Sequence, residues 1–288
     1  MILFTRILFA RILSFRIDAT TSKTTGPAMK YLTLEYDGDV AIVGLNRPEK
    51  RNAISDAFIE ELDTVVTQVN GRAKAAVIFG HGPHFCAGLD LAEHVKKTPF
   101  EGVHGSRRWH EVFARIQRGK MPWFGALHGA VVGGGLELAS SLHVRVADAT
   151  AFFALPEGQR GIFVGGGASV RTARLMGVAR MTDMMLTGRS VDVDTAERWN
   201  LVQYVVDEGQ ALDKAVALAA HAATNAEISN YAIIHALPRI QDMGVDDGLF
   251  VESFIASFTA TSPEAEERLN AFLQKKVGKV TRPDGGGV

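Results

Sequence analysis

Apolar and polar side chains alternate over residues 31–36, and a second apolar run occupies residues 40–45 beyond Asp37-Gly38. Alternation marks a strand with one buried face, and Asp-Gly suits a turn that needs positive φ. The segment therefore predicts a β-hairpin, ended by Asn46-Arg47-Pro48. Over residues 56–69, Phe58, Ile59, Leu62, Val65, Val66 and Val69 recur at helical spacing behind Ser55, a side chain suited to an N-cap. Residues 75–79 and 123–127 are short apolar runs, as in strands buried on both faces. A helical stretch around 109–118 lies between them, and residues 129–141 read as a glycine turn running into a helix. Strands alternating with helices predict an α/β arrangement with parallel pairing.

From about residue 208 the pattern is helical to the end. Leu212, Val216 and Ala219 stripe one helix, Phe250, Phe254 and Phe258 stripe another, and Ser262-Pro263 opens a last one. These stripes are apolar on too many faces for a solvated hairpin, so they predict packing on the α/β body or on a neighbouring subunit. Residues 281–288, with Asp284 before three glycines, read as a disordered tail. No repeat of fixed period and no low-complexity segment is visible. The chain thus divides into 1–28, a core over 29–207, a helical region over 208–280 and the tail.

Residues 1–17 carry Arg6, Arg11 and Arg16, no acid and twelve apolar residues. Arg-rich, acid-poor composition is that of a mitochondrial transit peptide. The arginines, five residues apart, fall about 140° apart on a helix and share no face. The favoured reading is an extension upstream of a start at Met29. Neither reading bears on function.

Charge narrows the partners. With 31 basic against 32 acidic residues in 288, the net charge of −1 argues against a surface built for nucleic acid or anionic lipid. In the leader, arginines cut every apolar run to four residues, far short of the roughly 20 that span a membrane. A single cysteine, Cys86, excludes an internal disulfide and suits a reducing compartment. That compartment is the cytoplasm, or the mitochondrial matrix if residues 1–28 are a transit peptide. No histidine and acid point at Cys86 as a nucleophile, so it reads as a small buried residue.

Two glycine-containing loops follow predicted buried strands: His84-Phe85-Cys86-Ala87-Gly88-Leu89-Asp90, and the run from His128 through Gly133-Gly134-Gly135 to Glu137. In α/β sheets ligands sit beyond the carboxyl ends of strands. Glycine lets backbone approach a ligand, and N–H groups at a helix start are unpaired. Either loop alone equally fits a plain turn. Gly133-Gly134-Gly135 does not fit the dinucleotide pattern, and no Gly-Lys-Ser/Thr follows, which disfavours nucleotide phosphate binding. Taken singly, Glu137 is a first-turn glutamate favoured by the helix dipole, and Glu157 is a loop carboxylate after proline.

Taken together, these motifs resemble the crotonase, or enoyl-CoA hydratase/isomerase, superfamily. The resemblance spans residues 31–276. Its markers are Asn46-Arg47-Pro48 with Arg51-Asn52-Ala53, the 85–91 loop, and Gly133-Gly134-Gly135-Leu136-Glu137. Leu155-Pro156-Glu157 with Gly161 and Gly165-Gly166-Gly167, then Leu186-Thr187-Gly188, Ala196-Glu197 and Leu201-Val202, complete it. It implies a spiral of ββα units with a C-terminal helical oligomerisation region that builds homotrimers or homohexamers. It implies that the N–H groups of Leu89 and Gly134 form an oxyanion hole for a thioester. Glu137 would activate water and Glu157 would deliver the α-proton in the syn hydration of a 2-enoyl-CoA. Substrate contacts fall to Arg51, Ala53, Ala87, Gly88, Asp90 and Gly133. No metal and no separate cofactor is implied, since CoA arrives with the acyl-CoA substrate. Lys50 and Arg51 would offset phosphate charge, and Lys275 and Lys276 would reach CoA on a neighbour.

The match has departures. His143 stands where the family usually has aspartate, and reads as a helix-end core histidine. Trp109, Phe113, Phe152, Phe153 and Phe163 either shape an acyl pocket for an aromatic or branched group or are simple core. The run after Ser262 lacks a glycine that relatives often carry. Retention of both glutamates favours hydration over isomerisation, retro-aldol cleavage, thioester hydrolysis or dehydration. It also speaks against a silent CoA-binding scaffold.

Overall fold

The computed structural model describes residues 29–94, 97–274 and 276. The expectations for the 1–28 leader, the 281–288 tail and Lys275 lie outside the described residues. Strands β1 (Leu32–Asp37) and β2 (Val40–Leu45) pair antiparallel, and Gly38 takes φ 57° at the turn between them. Helix α1 (Asp56–Asn70) follows, with the Phe58 N–H donating to Ser55 Oγ at 3.2 Å and all six predicted apolar positions buried. Next come β3 (Ala75–Gly80), a short α2 (Leu91–His94) and α3 (Pro99–Gln117). Helix α3 starts ten residues earlier than its apolar pattern suggests. A Thr98–Glu101 capping box begins it, and its first turns expose Phe100 and Val103 and contain Gly102 and Gly105. No core stripe is there to be read.

The remaining core elements are β4 (Trp123–Leu127), β5 (Ala130–Val132), α4 (Gly134–Ala139), β6 (Val144–Asp148), β7 (Phe152–Ala154), α5 (Ala168–Met176), α6 (Val178–Thr187), β8 (Ser190–Asp192), α7 (Val193–Arg198) and β9 (Tyr204–Val206). The main sheet has the order β1-β2-β3-β4-β6-β9, parallel throughout except for β1 with β2. A smaller layer, β5-β7-β8, is extended by isolated parallel bridges Ile54↔Leu89 and Cys86↔Val131. Each of β2, β3, β4 and β6 is thus followed by a short stretch in the second layer and then by helix. That is a spiral of ββα turns. Its main-sheet strands begin at residues 40, 75, 123, 144 and 204, so the spiral has no fixed sequence period.

Both faces of the main sheet are covered. Val43, Leu45, Ile78 and Leu127 belong to the core shared with α1 and α3. Val40, Val77, Phe124, Ala126 and Val146 face α8 (Ala211–Ala223). The buried positions of α8 are Ala211, Ala215, Ala219 and Ala223, while Leu212 and Val216 sit at the rim. Small side chains let this helix lie close on the sheet, and so its stripe is shifted from the one the larger residues suggested. Helices α9 (Glu227–Ile240), α10 (Val245–Ala260) and α11 (Pro263–Leu273) follow, the last capped by Ser262. The stripe Phe250, Phe254 and Phe258 on α10 is exposed in the single chain at 64%, 62% and 68%. No described helix is long and apolar enough to cross a membrane.

One buried side chain ties the hairpin exit to the loop after β3. Asn52 adopts φ 56° and is fully buried. Its Nδ2 donates to the carbonyls of His81, His84 and Phe85 at 3.0, 2.8 and 3.1 Å, and its Oδ1 accepts from the Arg47 N–H at 2.9 Å. Asn52→Ala orphans these buried groups, so we expect a loss of about 2–4 kcal/mol, measured by urea unfolding. A change below about 0.5 kcal/mol, the range of a plain surface substitution, would contradict this role.

Candidate active site

The site begins with the second layer. The Ile54 N–H donates to the Gly88 carbonyl at 2.8 Å and the Asp90 N–H to the Ile54 carbonyl at 2.9 Å. These bonds flank Leu89 and direct its own N–H away from Ile54, where it has no acceptor among the described residues. In the next loop the Gly133 N–H donates to the Ala154 carbonyl at 2.9 Å. Gly133 then turns with φ 53° and ψ −121°, a conformation that favours glycine, and α4 starts at Gly134. The Gly134 N–H is a first-turn donor without a helical acceptor. The two free donors are neighbours: a methyl built on Gly134 would lie 3.4 Å from Leu89 N and only 2.7 Å from the Trp109 ring. Any larger residue at 134 collides with that ring.

One helical turn into α4, Glu137 is buried. Its Oε1 accepts from the N–H groups of Gly166 at 2.7 Å and Ala168 at 3.0 Å, in the loop before α5. Glu157 follows β7 and begins a 3-10 turn over Gly158–Arg160. Its carboxyl is also buried: Oε1 lies against Gly133, where a Cβ would stand 2.8 Å away, and Oε2 has no hydrogen-bond partner. Ala87, Gly88, Leu89, Gly133, Gly134, Glu137 and Glu157 line one cleft of ligand size, about 720 Å³ including its open mouth. Leu91, Gly102, Gly105, Trp109, Ile162, Phe163 and Val164 form its apolar wall.

Electrostatics separates the two acids. Burial raises the pKa of Glu137, and the N–H groups of the 165–168 loop oppose that rise by stabilising the carboxylate. Glu157 is pushed up to about 7, first by burial and further by the charge of Glu137, with its own N–H and Arg160 opposing. Both carboxyls are thus harder to ionise than in water, and Glu157 lacks Glu137's row of donors. The cleft therefore combines two carboxyls in different settings with two free N–H donors, which suits proton transfer beside a carbonyl that gains negative charge.

Of the other residues singled out by sequence, Arg51, Ala53, Asp90, Cys86 and His143 lie outside this lining. The Asp90 carboxylate is engaged by Arg47 at 2.9 Å. Arg51 is exposed with φ 51°, its carbonyl accepts from the Ala87 N–H at 2.9 Å, and the Ala53 carbonyl accepts from Arg47. Phe113 and Phe153 are core and Phe152 is partly exposed, so of the five aromatics only Trp109 and Phe163 line the cleft. His143 Nδ1 accepts from the Trp123 N–H at 2.9 Å and its Nε2 donates to the Gln117 carbonyl at 3.1 Å. Burial pulls its pKa down to about 4, which leaves a neutral structural histidine. The Cys86 thiol, buried and pushed up to about 12, donates to the Asn52 carbonyl at 3.0 Å. Sequence reasoning missed Arg160 and Ser106 in the lining, and the hold of Gly166 and Ala168 on Glu137. The Gly165-Gly166-Gly167 run was the available signal.

The family model described as enoyl-CoA hydratase/isomerase matches residues 35–279. The chain is 31% identical over 252 residues to the 2,3-dehydroadipyl-CoA hydratase of Escherichia coli (strain K12), covering 86% of this chain and 97% of that one. It is 29% identical over 246 residues to the short-chain-enoyl-CoA hydratase of Clostridium acetobutylicum, covering 84% and 94%. A solved structure from Rhodopseudomonas palustris, provisionally named an enoyl-CoA hydratase, superposes with TM-score 0.83 at 47% identity, covering 87% of this chain and 97% of that one.

The shift of Glu157 has a consequence for stability. Its folded pKa of about 7 exceeds the ordinary 4.5, so the folded state binds the proton more tightly and loses stability as pH rises between those values. Glu157→Gln removes that loss. Relative to the parent, the variant should gain a few degrees of melting temperature on going from pH 4 to pH 8. A melting difference independent of pH would contradict the shift.

Proposed function

The chain belongs to the enoyl-CoA hydratase/isomerase family, and from that premise we propose that it adds water reversibly to a 2-enoyl-CoA, giving a 3-hydroxyacyl-CoA. The observation that carries this reading is the pair of carboxyls with different proton affinities in one cleft beside two free N–H donors. The Leu89 and Gly134 N–H groups receive the thioester oxygen and draw electrons from the double bond, which makes C3 electrophilic. Glu137 takes a proton from water as its oxygen bonds to C3, and the π electrons pass to the thioester as an enolate. Both donors bond better to that enolate than to the neutral carbonyl, which lowers the barrier. Glu157 then gives its proton to C2. Hydrogen and hydroxyl arrive from the one face that bears both carboxyls, so addition is syn.

Ala87, Gly88, Asp90 and Gly133 with Arg51 and Ala53 form the approach for CoA, which comes and leaves with the substrate. The apolar wall from Leu91 to Val164 receives the acyl chain. The E. coli relative is named for a dehydroadipyl substrate and the Clostridium relative for short chains; here the apolar wall stands beside Lys97 and Arg160 in the same lining. The exposed phenylalanines of α10, with Leu237 on α9 and Leu273 on α11, support assembly into a homotrimer or a homohexamer.

Turnover tests the chemistry. Purified protein should bleach the enone absorbance of crotonyl-CoA or a longer 2-enoyl-CoA. Glu137→Gln and Glu157→Gln should each lower kcat by about 10²–10⁴-fold, with KM changed little. Hydration kcat/KM should fall above pH about 7, as Glu157 loses the proton it must deliver. No turnover across aliphatic, branched and aromatic enoyl-CoAs would sink the reading. For assembly, light scattering should give three or six copies, and Phe254→Glu should yield smaller species. A monomeric parent chain would refute that part.

A further inference from the structure

Glu137 is held by a loop that is itself gripped from behind. The peptide joining Gly165 to Gly166 donates its N–H to Glu137 Oε1, and its carbonyl accepts from Ser106 Oγ at 2.6 Å. The next carbonyl, Gly166 O, accepts from Arg171 Nη1 at 2.9 Å, and Arg171 Nε donates to Gln117 Oε1 at 2.7 Å. Ser106 and Gln117 lie on α3, and Arg171 lies in the first turn of α5. The guanidinium lies hard against the loop backbone, for a Cβ on Gly167 would stand 2.1 Å from Nη1. Arg171 is partly buried, and among the described residues it forms no ion pair with an acid. A cation placed only to brace two helices would be better stabilised beside a carboxylate; this one faces a peptide whose neighbours serve Glu137.

We propose that Arg171 is a positioning residue which, with Ser106, polarises the Gly165–Ala168 loop and so keeps Glu137 ionised and aimed as the base. A donor bonded to a peptide carbonyl strengthens the N–H bonds of the chain it belongs to. Arg171 also places a positive charge behind the carboxylate. The other ionisable groups around Glu137 are Glu157 with Arg160 across the cleft, and His110 and Arg107 on α3 with Arg118 just beyond its end. Because His110, whose pKa burial lowers, is also ionisable, the readout must report carboxyls alone.

That Glu137 acts as a base rests on the proposed hydratase reading; its ionisation does not. Carbon-13 NMR of glutamate-labelled protein, with the Glu137 signal assigned by its loss in Glu137→Gln, follows that ionisation directly. Arg171→Met should raise the Glu137 midpoint by about one pH unit, and Ser106→Ala should raise it by less. Arg171→Lys keeps the charge and should restore the midpoint. In turnover, Arg171→Met should lower kcat about tenfold with KM within twofold, and Arg171→Lys should recover part of kcat. Should Arg171→Met fail to fold, Ser106→Ala, which removes one oxygen, decides by the same titration. An unmoved midpoint in the folded variants overturns the proposal, as does a loss confined to melting temperature or KM. An inactive parent chain defeats the hydratase reading alone, since the titration still judges Arg171.

Discussion

Two carboxyl groups share a cleft too dry for both to be charged at little cost, and the different ways the backbone treats them decide what the site can do. Glu137 meets a row of N–H groups at Gly166 and Ala168 that substitute for water. Glu157 has a buried oxygen with no partner and the charge of Glu137 beside it. Identical side chains thereby sit in unlike electrostatic settings. Had both been equally solvated, both would be ionised at neutral pH, and no proton would be at hand for the α-carbon.

The two free N–H donors depend on the same economy of space. Leu89 and Gly134 contribute only their backbone, so what matters is that neighbouring bonds leave those N–H groups free. The parallel bridge between Ile54 and Leu89 does this on one side, and the positive φ of Gly133 before α4 does it on the other. Trp109 packs onto Gly134 and closes the cleft behind them. Asn52 ties the loop after β2 to the loop after β3 that carries Leu89.

Much of this was legible along the chain. The hairpin, α1, β3 and β4 follow from apolar spacing and end signals, because each buries a regular pattern. The ββα spiral is invisible to periodicity, since its turns differ in length and its second layer consists of single bridges and three-residue strands. Short β5 reads as part of a glycine turn for that reason. On α8 the alanines carry the contact, so the larger residues misplace the buried face. The motifs around Gly134, Glu137 and Glu157 name residues that meet in one cleft, although nothing in a 20-residue separation requires it. The hold of the 165–168 loop on Glu137 and the reach of Arg171 arise from side-chain geometry between distant elements, which no spacing encodes. Aromatic composition was a poor guide: of five aromatics, two face the cleft and the others fill core or surface.

Neutron diffraction from deuterated crystals grown near pH 6 reads the division of one proton between the two acids atom by atom. We expect a deuteron on the Glu157 carboxyl and none on Glu137, with the deuterons of Gly166 and Ala168 directed at Glu137 Oε1. A deuteron on Glu137 instead, or two bare carboxylates, would contradict it.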